Sequence, residues 1–283
     1  MNRQEGQVGY CQAGADPKVA KAFLHPWEEP CISGTRGSGT VFFSHCNMRC
    51  VFCQNYVISQ QGFGKAVGVE RLAEIFIELQ ERGAHNINLV TPTPYIPHIS
   101  KALEIAGQAG LRIPVVYNTN GYESVEALES LRGKVSVFLP DLKYFDDAIA
   151  RRYSAAPNYF LVATAAVKKM VELVGRPVFD ADGIMQKGVI VRHLVLPGLV
   201  ADSIKVLRWI SRELKGDVLV SVMSQYVPSH RAWDYPELAR RLAREEYELV
   251  LEELYALDLE DGFVQELDSA DLCYTPSWDL EGV

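Results

Sequence analysis

The stretch Thr40-Val41-Phe42-Phe43-Ser44-His45-Cys46-Asn47-Met48-Arg49-Cys50-Val51-Phe52-Cys53 determines how this chain is interpreted. It begins with a short run, Thr40–Ser44, whose β-branched and aromatic residues are typical of a buried strand. Three cysteines follow it, Cys46, Cys50 and Cys53, with the spacing C-x3-C-x2-C. Because the strand runs directly into the cysteine loop, three thiols come together at one strand end. The segment therefore predicts a metal centre supported by a sheet.

Three thiolates are too few ligands for some metal sites and enough for others. A structural zinc ion takes four ligands, so zinc would need His45 or a distant residue as the fourth. A [4Fe–4S] cluster can be held by three cysteines, which leaves one iron open to another ligand. Disulfides between residues this close on a short loop have poor geometry, and six cysteines in 283 residues is not the density of a secreted scaffold. We expect an iron–sulfur cluster, with zinc as the alternative.

Size and composition limit the other classes of function. A chain of 283 residues with 48% hydrophobic residues can bury one large core. The net charge is −8 and the sequence pI is about 5.3, with no basic stripe, which argues against nucleic acid as a partner. The sequence has no run of eighteen apolar residues for a membrane span, and Met1–Gly6 lacks the apolar core of a signal peptide. We expect a cytoplasmic protein, in which thiolates stay available for iron.

Short apolar runs alternate with longer amphipathic ones after residue 39. The expected strands are Thr40–Ser44, Asn86–Thr91, Pro114–Asn118, Val135–Pro140, Val189–Leu196 and Val218–Met223, with a further short run at Phe263–Leu267. The expected helices are Val69–Arg82, Ile96–Ala109, Ser124–Leu131, Asp146–Ser154, Tyr159–Val174, Ala201–Leu214 and Tyr235–Leu257. This alternation predicts βαβ units and a parallel sheet.

About six such units indicate an α/β fold of the partial (β/α)6, TIM-like barrel type, and a doubly wound open sheet is the alternative. We expect an irregular N-terminal segment at 1–39, the barrel at 40–232, and a C-terminal helix with an extension at 233–283. In either architecture, ligands bind at the carboxyl ends of the parallel strands. The polar residues at those ends are therefore the candidate site residues.

The spacing of the cysteines, with the aromatic Phe52 before the last one, resembles the radical S-adenosylmethionine (SAM) superfamily. The resemblance implies that the SAM amino and carboxylate groups bind the open iron. One electron from the reduced cluster then cleaves SAM to methionine and a 5′-deoxyadenosyl radical, which abstracts a hydrogen atom from the substrate. Within the superfamily, later segments are similar to the activating enzymes of glycyl radical enzymes, of the pyruvate formate-lyase activating enzyme-like branch.

The resemblance also implies the residues around SAM. Many relatives carry Gly-Gly-Glu-Pro after the second strand, where this chain has Thr91-Pro92-Thr93-Pro94. Thr91 and Thr93 would then meet the SAM amino group in place of the missing acid. Phe52 and Tyr226 would lie near the adenine. A proline-rich loop with no ligand contact is the alternative for the threonines.

Two further segments match those activating enzymes, Asn118-Thr119-Asn120-Gly121 and Asp141-Leu142-Lys143. The resemblance implies that Asn118, Thr119, Asp141 and Lys143 lie near the SAM carboxylate and ribose. It also implies that oxygens of Asn118, Thr119 and Asp141 can hold a monovalent cation. A structural ion pair between Asp141 and Lys143 is the alternative. Arg192, in an otherwise apolar strand, is costly to bury without an anion, so we expect it to point toward the SAM carboxylate.

The leading hypothesis is a radical SAM oxidoreductase that reductively cleaves SAM at a [4Fe–4S] cluster. Activation of a glycyl radical enzyme is its first version, and modification of another peptide or of a small molecule is the second. The resemblance implies a flavodoxin- or ferredoxin-type electron donor and a protein or peptide substrate. A non-catalytic iron–sulfur protein that transfers electrons is the hypothesis from another class.

The remaining cysteines carry weaker signals. Cys11 and Cys31 are too few for a closed zinc site by themselves. They are interpreted as ordinary thiols, with a second metal site as the alternative. Cys273 is interpreted as a packing residue. His193 is adjacent to Arg192 in the same strand and so faces the opposite side of the sheet, where we expect a packing role.

Overall fold

The apolar runs in the sequence pair side by side in one sheet. The computed structural model of the protein describes residues 5–271 and 275–283. Its strands are β1 (Lys18–His25), β2 (Ser38–Phe43), β3 (Lys65–Ala66), β4 (Ile87–Val90), β5 (Val115–Thr119), β6 (Val137–Pro140), β7 (Val178–Phe179), β8 (Met185–Leu194), β9 (Leu219–Met223) and β10 (Gly262–Val264). The six predicted strands and the short seventh run are all present, with ends shifted by a few residues.

The order of strands across the sheet is β10-β9-β8-β6-β5-β4-β2-β1-β3, and β7 pairs with β8. Every pairing along the path from β2 through β4, β5, β6, β8 and β9 to β10 is parallel. Strands β1 and β3 are antiparallel additions beyond β2. Because the ordered path ends at β3 and at β10, the sheet of the described residues is not closed. The predicted α/β class and partial TIM-like barrel are confirmed.

Helices follow most of the strands, and the longer ones cover the outer face of the sheet. They are α1 (Pro30–Ser33), α2 (Tyr56–Ser59), α3 (Val69–Glu81), α4 (Ile96–Gln108), α5 (Val125–Glu129), α6 (Asp147–Ser154), α7 (Tyr159–Val174), α8 (Val200–Leu214) and α9 (Arg244–Ala256). Ser124 and Asp146 accept hydrogen bonds from Ala127 N and Ala148 N at the starts of α5 and α6, so both residues act as N-caps. No helix in the described part of the chain is long and apolar enough to cross a membrane.

The two faces of β2 show where the core lies. Val41 and Phe43 belong to the large cluster between the sheet and the outer helices. Phe42 belongs to a small cluster on the inner face. A second inner cluster brings Cys31 and Ile32 of α1 together with inward residues of β5, β6 and β8. Helix α1 therefore fills the lower part of the barrel interior.

The interpretation of residues 1–39 as irregular is wrong for Lys18–His25 and for α1. Strand β1 pairs with β2 from Val19–Phe43 to His25–Ser38, with a bulge near Ala20. A parallel sheet would otherwise end at β2 with unpaired backbone groups, and an antiparallel strand satisfies them. The three-part division of the chain stays a prediction.

The helix expected at Tyr235–Leu257 begins later, at Arg244. Tyr226 Oη donates to Leu238 O at 2.7 Å, which takes a carbonyl that a helix would use. The Glu246 carboxylate accepts two hydrogen bonds from the Arg240 guanidinium, at 2.7 Å each, and one from Ala243 N at 3.1 Å. The segment before α9 is thus folded back onto the start of the helix.

The C-terminal segment, residues 275–283, lies beside β1. Glu281 O accepts a hydrogen bond from Ala22 N at 2.8 Å. The buried Lys21 ammonium lies 3.0 Å from Asp279 Oδ2 and 3.1 Å from Glu281 Oε2. The Trp278 ring packs edge-on against Phe42 with ring centroids 5.3 Å apart. The segment therefore covers the inner face of the sheet at its β1 edge.

Candidate functional site

A cavity of about 350 Å³ opens at the carboxyl ends of the parallel strands. Such a volume is typical of a small-molecule site. Of the residues predicted for the site, all except Thr93 line this cavity, namely Cys46, Cys50, Phe52, Cys53, Thr91, Asn118, Thr119, Asp141, Lys143, Arg192 and Tyr226. The sheet topology brings them together, since they come from the ends of six strands and the loops that follow them.

The loop with the three cysteines is fastened by its backbone. Arg49 N donates to Ser154 O at 2.9 Å and Val51 N donates to Tyr153 O at 2.8 Å. Each sulfur also has one polar side-chain partner, and the pairs are Asn120 Nδ2 with Cys46 Sγ at 3.3 Å, Ser154 Oγ with Cys50 Sγ at 3.0 Å, and Ser59 Oγ with Cys53 Sγ at 3.3 Å. The chain therefore supplies a separate hydroxyl or amide group for each sulfur.

Electrostatics show what this loop is suited to hold. Burial raises the pKa of Cys50 to about 12 and the pKa of Cys46 to about 11, while the nearby Lys143 ammonium opposes both shifts. Without a metal the loop therefore holds neutral thiols, and a bound cation would favour the thiolates.

The chemistry of the donor set fits a cluster better than a single ion. Among the described residues, no group of three or more His, Cys, Asp or Glu side chains is arranged to hold one metal ion. The three thiols nevertheless line a single open cavity. Three thiols that line one cavity match the three ligands of a [4Fe–4S] cluster with one open iron, whereas a closed structural zinc site takes four ligands.

Asp141 and Lys143 form an ion pair on the cavity wall, with Lys143 Nζ 2.5 Å from Asp141 Oδ2. The loop Asn120–Gly121 lies directly against Asp141. Gly121 has a φ of +77°, and a Cβ at this position would overlap the carbonyl oxygen of Asp141. Only glycine allows the two strand ends to approach so closely. The ion pair that was the structural alternative is thus present, and it also faces the cavity.

Arg192 has anionic partners within this chain. Its Nη2 lies 3.2 Å from Glu28 Oε2, and its Nε lies 3.2 Å from Glu29 Oε1. Asn88 Nδ2 and Asn118 Nδ2 donate to the other oxygen of Glu28, at 2.9 and 3.3 Å. The argument that Arg192 needs an anion is confirmed, and two carboxylates from the N-terminal segment provide it. Sequence reasoning missed both, because the segment was not expected to enter the barrel.

Glu123 is a third residue that the sequence analysis missed. Its Oε1 accepts hydrogen bonds from Thr93 Oγ1 at 2.6 Å, Thr119 Oγ1 at 2.5 Å and Tyr117 Oη at 3.2 Å. Burial raises its pKa to about 7, although the three hydroxyls act in the opposite direction. The Thr93 hydroxyl therefore faces Glu123 and not the cavity, whereas Thr91 lines the cavity with a φ of +57°.

The remaining predicted residues fall into clear positions. Phe52 and Tyr226 pack edge to face with ring centroids 5.9 Å apart, on the same side of the cavity. His193 is buried, and its Nδ1 lies 2.7 Å from Leu142 O, which confirms a packing role. Cys11 and Cys31 belong to different clusters of the core, which supports their interpretation as ordinary thiols. Cys273 lies outside the described residues.

Residues 40–210 match the family model of the radical SAM superfamily, more than half of the chain. The chain belongs to the radical SAM superfamily. It is also 35% identical to an uncharacterized protein of Methanocaldococcus jannaschii over 269 residues, which cover 92% of this chain and 73% of that protein. The family model therefore confirms the predicted superfamily.

Solved structures of other proteins share the fold at low sequence identity. SuiB from Streptococcus suis, bound to the precursor peptide SuiA, has a TM-score of 0.55 and 14% identity, covering 80% of this chain and 48% of SuiB. A SAM-bound form of SuiB has a TM-score of 0.53 and 14% identity, covering 80% of this chain and 49% of SuiB. HydG, the FeFe-hydrogenase maturase of Carboxydothermus hydrogenoformans, has a TM-score of 0.52 and 13% identity. The match covers 83% of this chain and 56% of HydG. The chain spans about half the length of these structures.

Proposed function

We propose that this radical SAM protein is an enzyme that holds a [4Fe–4S] cluster through Cys46, Cys50 and Cys53 and cleaves SAM reductively. The observation that carries the proposal is that the three thiols and a wall of polar residues share one cavity. When bound, the cluster supplies the electron that splits SAM and so starts hydrogen abstraction from a substrate. An electron carrier needs no cavity of this size beside its cysteines, which argues against the non-catalytic alternative.

The residues around the thiols prepare the loop for its metal. Asn120, Ser59 and Ser154 are placed to donate hydrogen bonds to the sulfurs, which stabilises their charged forms and fixes their orientation. Lys143 adds a positive charge near the thiols, which favours their deprotonated state. Because the fold holds these side chains in place, they need not reorient when the sulfurs become negatively charged.

For the cofactor, we infer that SAM lies along the strand ends. Thr91 and Asn118 offer oxygens for its amino group, and the Asp141–Lys143 pair lies where its carboxylate and ribose need polar partners. The rings of Phe52 and Tyr226 form an aromatic side of the cavity for the adenine.

Thr93, Thr119 and Arg192 take more indirect parts in this proposal. Thr93 and Thr119 act as positioning residues, because both hydroxyls are committed to Glu123. Arg192 reaches the cavity with its charge already matched by Glu28 and Glu29. A monovalent cation beside Asp141 stays a prediction from the resemblance, as does a cytoplasmic location.

The substrate is proposed as a class. SuiB, which shares the fold, is bound to a precursor peptide in one structure, so a peptide side chain entering the cavity is a reasonable substrate here. Activation of a glycyl radical enzyme and modification of a small molecule are the other two versions of the proposal. A flavodoxin- or ferredoxin-type protein would supply the electron.

The test is anaerobic turnover of the iron-loaded protein with SAM and dithionite, followed by measurement of 5′-deoxyadenosine. We expect formation of this product by the unmodified protein. Cys50→Ala should lose the cluster absorbance and the product together. Cys31→Ala is the matched control, because Cys31 is buried in an apolar cluster away from the cysteine loop, and it should retain both. A fully iron-loaded protein that leaves SAM intact, or full cluster content in Cys50→Ala, would contradict the proposal.

A further inference from the structure

The cavity has a second end, which meets the residues proposed for SAM at Asn118, because Asn118 Nδ2 donates to Glu28 Oε1 at 3.3 Å. It is formed by His25, Glu28 and Arg192, which line the cavity, with Glu29 and Asn88 beside them. We call this group of five residues the acidic end of the cavity. Two carboxylates face one guanidinium here, so one negative charge has no counter-charge in the group. Burial lowers the pKa of His25 to about 4, so its imidazole is neutral and supplies no positive charge.

Several polar atoms of the acidic end have no hydrogen-bond partner among the described residues, although all are buried. They are the acceptors Glu29 Oε2, Asn88 Oδ1 and His25 Nδ1 and one donor, Arg192 Nε, which lies 3.2 Å from Glu29 Oε1 without forming a hydrogen bond. Glu29 and His25 are 8% and 7% exposed, and Asn88 is fully buried. A carboxylate or amide oxygen left alone in a protein interior is costly. Unpaired acceptors next to an excess negative charge indicate a missing partner that is positively charged and rich in donors.

The acidic end lies deep in the barrel. His25 pairs with Ser38, the first residue of β2, and Asn88 pairs with Thr40, whereas the cysteine loop follows Phe43 at the other end of that strand. At about 3.3 Å per residue, the acidic end is roughly 10–16 Å from the strand end that carries the thiols. The residues proposed for SAM lie at the thiol end, so the partner of the acidic end belongs to another part of the bound molecules.

The wall between the two ends is apolar. Phe42 and Val90 line the cavity and belong to one inner cluster. A chain of methylene groups fits such a wall, because burial of each CH₂ is favourable by about 0.8 kcal/mol. An ammonium group at the end of the chain would then meet the Glu28 carboxylate and the unpaired His25 Nδ1, which both belong to residues that line the cavity.

We propose that the acidic end of the cavity binds the ammonium group of an aliphatic primary amine, and that the substrate carries this amine. The substrate is then a molecule or peptide side chain whose reacting carbon lies toward the thiol end. The inference rests on the proposed function for the location of the reaction. It can fail separately, because ammonium binding requires no turnover and SAM cleavage with dithionite requires no amine.

The test compares n-hexylammonium with the neutral n-hexanol on the iron-loaded protein, by saturation-transfer NMR under anaerobic conditions. Charged hydrogen bonds predict that the amine binds at least about tenfold more tightly than the alcohol. Glu29→Gln removes the excess charge and should abolish this preference. Glu248→Gln makes the same change on the exposed face of α9 and should preserve it.

Further arms identify the source of the positive charge. The protein is equilibrated with hexylammonium and then saturated with SAM, and the amine should remain bound. Displacement by SAM would assign the acidic end to the ammonium of the cofactor, and displacement by an equal concentration of K⁺ would assign it to an inorganic cation. Equal binding of amine and alcohol to the unmodified protein would also overturn the proposal, whether or not Glu29→Gln folds.

Discussion

Glu123 should make the stability of this protein depend on pH in a direction opposite to that of most carboxylates. Its pKa is about 7 in the folded protein against an ordinary value of 4.5, because burial disfavours the charged form. The folded state therefore binds the proton more tightly than the unfolded state. This contribution to stability is fully present below pH 4.5 and is lost as the pH rises through 7. Between pH 5 and pH 8 the loss amounts to about 2.5 kcal/mol.

Glu123→Gln removes this titration while an amide oxygen can still accept from Thr93 and Thr119. The difference in unfolding free energy between the variant and the unmodified protein should shift in favour of the variant by about 2.5 kcal/mol from pH 5 to pH 8. Urea denaturation followed by tryptophan fluorescence at several pH values measures it. Glu70→Gln, on the exposed side of α3, is the control and should give a constant difference. Parallel stability curves for Glu123→Gln and the unmodified protein would refute the reasoning.

Two further predictions concern the cluster loop and the C-terminal segment. Ser154→Ala removes the hydroxyl 3.0 Å from Cys50 Sγ. The cluster should still form, and its reduction potential, measured by an EPR-monitored redox titration, should become more negative. An unchanged potential would show that the Ser154 hydroxyl does not tune the cluster. Lys21→Met removes two ion pairs with half-exposed carboxylates, which should cost about 1 kcal/mol and increase amide hydrogen exchange in residues 275–283. Unchanged exchange would show that the Trp278 contact and the hydrogen bond from Ala22 N to Glu281 O hold the segment without the ion pairs.

The parallel strands could be predicted from the sequence because each is a short, nearly continuous apolar run. Buried on both faces, such strands carry a strong signal. The cysteine loop was equally clear, since its ligands are close together in sequence. The residues at the strand ends then followed from the rule that these ends meet at one edge of the sheet. These parts of the fold and site depend on local pattern or on general topology.

The missed residues depend on contacts between distant segments. Glu28 and Glu29 reach the barrel interior only because α1 folds inward after β1, and no local pattern in Trp27–Pro30 indicates this. Strand β1 carries a signal that was overlooked, because Val19, Ala20 and Ala22 form a buried run with polar residues around it. Glu123 resembles a surface acid in sequence, and its burial becomes visible only when three hydroxyls from two strand ends converge on it.

The C-terminal segment has a consequence for the order in which this protein becomes complete. Thr275 and Pro276 contribute to the same cavity as the cysteines, yet the ribosome synthesises them long after the cysteine loop. Until they dock against β1, the barrel interior is open along that flank. A protein that delivers iron and sulfide could reach the three thiols through this open flank of the barrel. Docking of the final residues would then close the flank after the metal centre has formed.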